Sequence, residues 1–484
     1  MSIQSLAFNG FILISSTLSS FAQAHSIEDR YDLPLPLPFF IIGSGIVVLM
    51  SFLFLFFATP SLGYINKNSK TVWHIFSQPI IQRLVIIIAK AFSIILFFTV
   101  LGACFWGNPD PLENLAPNFI WITWWLGLSL VISFSGNFWP IINPWNALFE
   151  VFQWALKKIS KKIPNTLNLP IPPFLGMYIS TGFLLTWSWL ELVYPVAFVP
   201  QRIGQLIAIW TCINFIFMCL FGVKAWQTRG DVFSVYFFWL GKFGLYFYDP
   251  EKNTLERRYL GQGLWSHHFQ HNQSNQPLGL SSFIVAMLST VLFDGLHGSA
   301  AWLIFEQYLT HIFPKWLVVS AYFSGTLGLL MTWLLFWGLF WCCCFIPQKY
   351  CSTIKLKNLA DYLAPSLIPI AVGYLIAHNF SSFIIQFQNI IFLISDPFHL
   401  GWDLFHTKTF RPNIAIIDAG FTWYLALSAI LVGHILALWI SHLLLVQKTQ
   451  LRKDLLLMSV AHTMMMVGLT MTSLIIIAEP MALS

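Results

Sequence analysis

Charge is what this chain has least of. Asp, Glu, Lys and Arg together supply 9% of its 484 residues, against about 25% in an ordinary soluble domain. So few charges cannot cover a water-soluble surface of this size. The net charge of +6 is spread over short loops and not gathered on one basic face, which excludes a nucleic-acid-binding domain, and the apolar composition excludes intrinsic disorder. Soluble-enzyme signatures are missing too: there is no GxSxG, no P-loop GKS/T, no HExxH and no CxxC pair. Seven cysteines do not form a disulfide framework. Cys104, Cys212, Cys219, Cys342, Cys343 and Cys344 lie in or beside apolar runs and Cys351 follows one closely, as small apolar residues do. No internal repeat stands out, so transporter-style inverted symmetry has no support.

What the chain has in excess is hydrocarbon: 57% hydrophobic residues, 47 Phe and 22 Trp. A spanning helix needs about 20 mainly apolar residues. Ten runs meet that length: 37–58, 84–105, 119–138, 172–193, 202–223, 279–306, 316–346, 363–394, 420–446 and 455–478. The expected fold is therefore an all-α integral membrane protein, a polytopic bundle of about ten transmembrane helices after an N-terminal signal peptide. Residues 11–24, FILISSTLSSFAQA, are too short to span and end in Ala22-Gln23-Ala24, a small-residue cleavage pattern, although residues 1–10 carry no Lys or Arg. Residues 1–24 then form the leader, 25–36 an exposed segment, and 37–484 one helical domain with loops at 224–278 and 395–418. With the mature N-terminus outside, 20 of the 25 Lys and Arg fall on the inner side, among them Lys157, Lys158, Lys161 and Lys162. This bias predicts a bacterial inner-membrane protein with both mature termini periplasmic. Residues 135–146, with Pro140 and Pro144, predict a re-entrant or interfacial corner, and 147–156 an amphipathic surface helix.

Ionisable groups in hydrocarbon cost a few kcal/mol each and usually face a bundle interior or a wet cavity. Asp294, His297, His378, His434, His442 and His462 are such groups. Asp294 and His297, three apart on one helix face, suit a carboxylate orienting an imidazole, or equally a self-satisfied pair that packs helices. Asn379, Ser382, Gln386 and Asn389 fall at i, i+3, i+7 and i+10, a polar stripe that either lines an outward cavity for substrate or forms an interhelical hydrogen-bond ladder. His434, His442 and His462 sit in neighbouring runs as shared ligands or as satisfied core histidines.

Metal chemistry has further candidates. Asp396, His399, Asp403 and His406 share the spacing i, i+3, i+7, i+10, and on a helix they would line one face. His25, made N-terminal by cleavage, would chelate through its amine and ring, a donor set suited to copper. Six of the twelve Met, from Met458 to Met481, crowd the last 27 residues. Thioethers favour Cu(I), and Met also fills helix interfaces well. His267, His268 and His271 lie in a polar loop. The expected cofactor is a divalent or copper ion, and the expected metal ligands are His25, His378, His434, His442 and His462.

Several stretches carry a resemblance: Ala24-His25 with RYDLPLPL at 30–37, WSWLELVYP at 187–195, FSVY at 233–236, LFDG at 292–295, AHNFS at 377–381, SDPF at 395–398, GWDLF at 401–405, Gly433-His434 and AEP at 478–480. In this order they resemble the bacterial multi-pass membrane proteins known as fenitrothion hydrolases. The resemblance implies a membrane-bound hydrolase of organophosphorus triesters, with His25, Asp294, His378, Asn379 and His434 as the better matches. That family tends to have glycine where this chain has His399 and His406, which counts against the four-residue loop as a shared metal site.

Two classes of function follow. As a hydrolase of a small hydrophobic substrate, Asp294, His297, His378 and His434 would be base or ligands. As a transporter or metal-handling protein, the same histidines, His25 and the Met-rich last helix would be stations for a solute or ion.

Overall fold

The computed structural model describes residues 35–57, 70–73, 79–159, 166–249, 254–266, 277–313, 321–354, 358–449 and 451–478. The signal peptide, His25, Lys161, Lys162, His267, His268, His271 and Met481 lie outside the described residues.

Among the described residues, nine helices are long and apolar enough to cross a membrane. They are α1 (Leu37–Phe57), α2 (Pro79–Trp106), α3 (Leu115–Ser135), α6 (Pro200–Phe221), α8 (Leu280–His297), α10 (Ala321–Gln348), α11 (Leu359–Phe387), α12 (Ala419–Val446) and α13 (Arg452–Ala478). The fold is an all-α membrane bundle. The run expected at 172–193 gives only 15 helical residues, α5 (Tyr178–Leu192), because Pro172 and Pro173 hold the entry and Pro195 follows the end. At 1.5 Å per residue α5 reaches about 22 Å, short of a full bilayer core. The run expected at 279–306 is two helices. α8 stops at Gly298, and Ser299 opens α9 (Ala300–Ile312) by accepting the Trp302 N–H on its hydroxyl at 3.2 Å.

The chain breaks after α3 where its prolines predict. A short turn at Trp139–Ile142 leads to α4 (Pro144–Ile159), whose last turn carries Lys157 and Lys158, a favourable placement against the helix dipole. Asn143 accepts the Trp145 N–H at 3.0 Å and so caps the new helix. Lys90 of α2 reaches Glu150 of α4 at 2.6 Å.

One feature is not helical. β1 (Lys70–Trp73), β2 (Tyr246–Asp249) and β3 (Thr254–Arg257) form an antiparallel sheet in the order β1-β3-β2. Its strand β2 follows α7 (Val232–Phe243), and the carbonyls of Gly241 in the last turn and of the capping Gly244 accept the buried Arg258 guanidinium at 2.7 and 2.8 Å.

α8 and α11 form the centre. Every residue of α8 from Leu280 to Thr290 is buried, as is every residue of α11 from Ile368 to Leu375. α11 crosses α12 through two glycines. A Cβ on Gly373 would lie 2.6 Å from the Ala429 carbonyl, and one on Gly433 2.7 Å from the Pro369 carbonyl. Only bare backbones come this close, the device that packs helices where no water drives them together. Two buried carboxylates lock loops onto this frame. Asp361 accepts the Gly279 N–H at 3.1 Å and the Ser281 N–H and hydroxyl at 2.8 and 2.7 Å, capping α8 from another helix. Asp454 accepts the Ser352 and Thr353 N–H groups at 2.8 and 2.7 Å.

Candidate functional site

Asp294 sits in the last turn of α8 and His378 about two thirds of the way along α11. Their side chains meet with His378 Nε2 3.0 Å from Asp294 Oδ2. The imidazole is 8% exposed and the carboxylate 31%, so the pair is held inside yet open on the carboxylate side. Gly295 makes room: a Cβ there would stand 3.7 Å from the imidazole Nδ1 and Cε1 and only 2.8 Å from Ile476.

The expected partner of Asp294, His297, does not pair with it. Its ring packs 5.5 Å from both the Phe293 and Trp302 rings, while Asp294 and Glu306 act on it electrostatically at longer range. A carboxylate that was not singled out in the sequence joins instead. Glu191, at the end of α5, accepts the Trp125 indole N–H at 3.1 Å and interacts electrostatically with Asp294. The signal was available: Glu191 is a lone acid within WSWLELVYP, the same kind of intramembrane charge that marked Asp294.

The stripe Asn379, Ser382, Gln386 and Asn389 runs from His378 toward the 395–418 end. All four are half-buried, and none of their side chains hydrogen-bonds another described residue. An interhelical ladder would show those bonds, and a cavity lining would leave them to water. The stripe's neighbour is the middle of α3, Asn118–Gly127, wound as a π-helix, a form frequent at functional sites. Asn118 donates to the Gln386 carbonyl at 2.8 Å, and Gly127 gives way to the Phe383 ring.

The other histidines do not converge here. Gly433 packs at Pro369, nine residues before His378, which separates the His434 level from His378 by about 13 Å along α11. His434 is fully buried, and its Nδ1–H donates to the Ile430 carbonyl at 2.8 Å. His442 lies two turns further along α12 from His434, buried, with neither ring nitrogen hydrogen-bonded to a described residue. His462 donates from Nδ1 to the Met458 carbonyl at 2.9 Å, and its Nε2 faces the Cys344 thiol at 3.6 Å. Met458, Met465 and Met466 are buried packing residues of that helix.

The 395–418 loop forms turns, not the helix that would have aligned its acids and histidines. Asp396 spends its carboxylate on the Leu400 and Gly401 N–H groups, both at 2.8 Å. Asp403 accepts the Ser395 hydroxyl at 3.0 Å and the Lys408 N–H at 3.1 Å. His399 and His406 take left-handed φ angles of 55° and 56° and are exposed. A glycine would adopt that conformation without strain.

Among the described residues, no group of three or more His, Cys, Asp or Glu side chains lies close enough to hold a metal ion. Asp294 and His378 offer two donors. No protein-family model, no curated protein and no solved structure matches the chain, so the site rests on its own geometry.

Proposed function

We propose that this is a membrane-embedded hydrolase of an uncharged, hydrophobic ester, working at Asp294 and His378. One observation carries the reading: the 3.0 Å contact between those two side chains at the head of an unpartnered polar stripe. Asp294 orients the imidazole, and His378 takes the proton of a water attacking the ester centre. Asn379 and Ser382 hold that water and the substrate's polar atoms. Organophosphorus triesters, which the family resemblance implies, fit this chemistry because they are neutral and dissolve in lipid. A divalent or copper ion at the pair would act as a Lewis acid, with Asp294 and His378 as two of its ligands. The charge bias of the loops supports an inner-membrane location with the stripe opening on the periplasmic side.

The test is turnover of a p-nitrophenyl phosphotriester by the purified full chain, with and without added Zn²⁺ or Cu²⁺. General-base loss is typically about 100- to 10,000-fold, so His378→Ala and Asp294→Asn should fall by at least about 100-fold. Absence of turnover in the wild type under all conditions, or full activity in His378→Ala, removes the reading.

The set of three protonatable groups, Glu191, Asp294 and His378, favours a second reading: proton-linked transport of a small solute or metal ion along the same polar stripe. Flux in proteoliposomes without turnover would select it. Against it stands the tight inner half of α8 and α11, where no residue from Ile368 to Leu375 is open.

A further inference from the structure

A cavity of about 370 Å³ is lined in part by Trp187, whose ring packs 5.4 Å from that of Trp125, the indole bound to Glu191. Six indoles line it, Trp121, Trp124, Trp139, Trp145, Trp187 and Trp210. Four of them, Trp124, Trp145, Trp187 and Trp210, surround the Phe233 ring at 4.7 to 5.8 Å. Its size falls in the range of about 300–1,000 Å³ typical of small-molecule sites.

The wall offers carbon and little else. The Ser93 and Thr186 hydroxyls are spent on the Ile142 and Gly182 carbonyls at 2.5 and 2.9 Å. The Trp121 and Trp145 indole N–H groups donate to the Ala197 carbonyl and the Thr211 hydroxyl at 3.1 and 3.0 Å, while the Trp139, Trp187 and Trp210 N–H groups have no partner among the described residues but are covered by neighbouring atoms. Water needs two to four polar partners to settle, and an apolar cavity without them stays dry and takes up hydrocarbon. The rim explains the route. Phe92 of α2 and Ile209 of α6 line the cavity and are also 63% and 57% exposed, on two helices long and apolar enough to span. Its two ends, by contrast, are closed, one by Trp139 beyond the end of α3 and the other by Ile203 at the start of α6, each 1% exposed. The opening therefore faces sideways, toward lipid.

We propose that this chamber binds the hydrocarbon part of an uncharged molecule dissolved in the bilayer, entering between α2 and α6. The shared chemistry is an aryl ring or an acyl chain seated against indole faces. The site stands independently of the hydrolase reading.

The experiment uses the full chain in lipid nanodiscs, with a neutral aryl diazirine and a phospholipid bearing a diazirine on its acyl chain. Labelled residues are mapped by mass spectrometry. The expected result is saturable labelling of cavity residues, competed at least 10-fold by excess unlabelled probe. Labelling of exposed Phe54 on the lipid face of α1 should not saturate. Val100→Trp, which fills the cavity from α2, should abolish the saturable fraction and leave Phe54 labelling unchanged. Saturation by the aryl probe alone identifies a small-solute site, and by the acyl probe alone a structural-lipid site. Both support the proposal. Non-saturable labelling with both probes overturns it. Quenching of wild-type tryptophan fluorescence by a bromoalkane gives a second readout if Val100→Trp does not fold. Saturable quenching supports the site, and quenching linear in probe overturns it.

Discussion

Asp294 of α8 binds His378 of α11 at 3.0 Å, although its neighbour one turn away, His297, has the spacing to reach it. The choice follows from packing. His297 is drawn into the Phe293 and Trp302 rings, and Gly295 opens the face on which His378 lands.

Gly295 should therefore tune the site. In Gly295→Ala the new methyl meets the imidazole at ordinary contact distance and lands 2.8 Å from the Ile476 Cγ2, a branch methyl that moves only if the stiff side chain or its helix shifts. Activity should stay within a few-fold, while the overpacking against Ile476 should cost about 1–3 kcal/mol of stability. Gly295→Val should crowd the ring and cut turnover by at least about 10-fold, since small displacements of catalytic groups are costly. Comparing turnover with thermal unfolding in detergent separates the two effects. Equal activity in both variants would contradict the placement.

The α11–α12 crossing should be intolerant of any side chain. Gly373→Ala and Gly433→Ala each drive a methyl into a backbone carbonyl, which cannot step aside as a side chain can. Overpacking of this kind costs about 1–3 kcal/mol. Both should lower the unfolding midpoint, whereas Gly182→Ala, with open space around it, should not. Unchanged midpoints for both crossing variants would mean the helices can separate freely.

Asp361 should matter more than its distance from the site suggests. It satisfies three donors at the start of α8, and Asp361→Ala leaves them buried and unpaired. Each such donor costs about 1–3 kcal/mol. Asp361→Asn, which keeps one acceptor, should recover part of the loss. Hydrogen exchange at the Gly279 and Ser281 amides reads this directly, with faster exchange in Ala than in Asn.

The 395–418 loop should loosen only in acid. For Asp403, partial desolvation pushes the carboxyl up. The Lys408 N–H, the Ser395 hydroxyl and nearby His406 outweigh it, so the net position is below the ordinary 3.8. A lowered folded value means the contribution is fully present above the unfolded value and is lost as pH falls through the folded one. Exchange at the Lys408 amide should be protected alike at every pH well above 3.8 and should lose the Asp403-dependent part below it. Asp403→Asn should abolish that dependence.

The spacing of residues along the chain exposed some relationships and hid others. The Asn379 stripe was legible because its four members share one helix and its period is local. Glu191 was legible in principle, as one acid in an apolar run, but its Trp125 donor comes from α3 and could not be seen. The loop histidines show the opposite error. Their i, i+3, i+7, i+10 spacing reads as one helix face, yet Asp396 closes a turn on Leu400 and Gly401 and the following backbone turns left-handed at His399.

Composition and run length alone determined that this is an all-α membrane bundle, because about 20 apolar residues have no stable home in water. They also determined most of the spans and the few intramembrane charges that matter. Only the tertiary structure decided which charges meet. Helix adjacency depends on where backbones can approach, here through Gly373 and Gly433, and on which rings fill the gaps between helices. That is a property of surfaces in contact. A linear pattern records each surface separately, so the Asp294–His378 pair, the Glu191–Trp125 bond and the tryptophan chamber became visible only when the helices were packed.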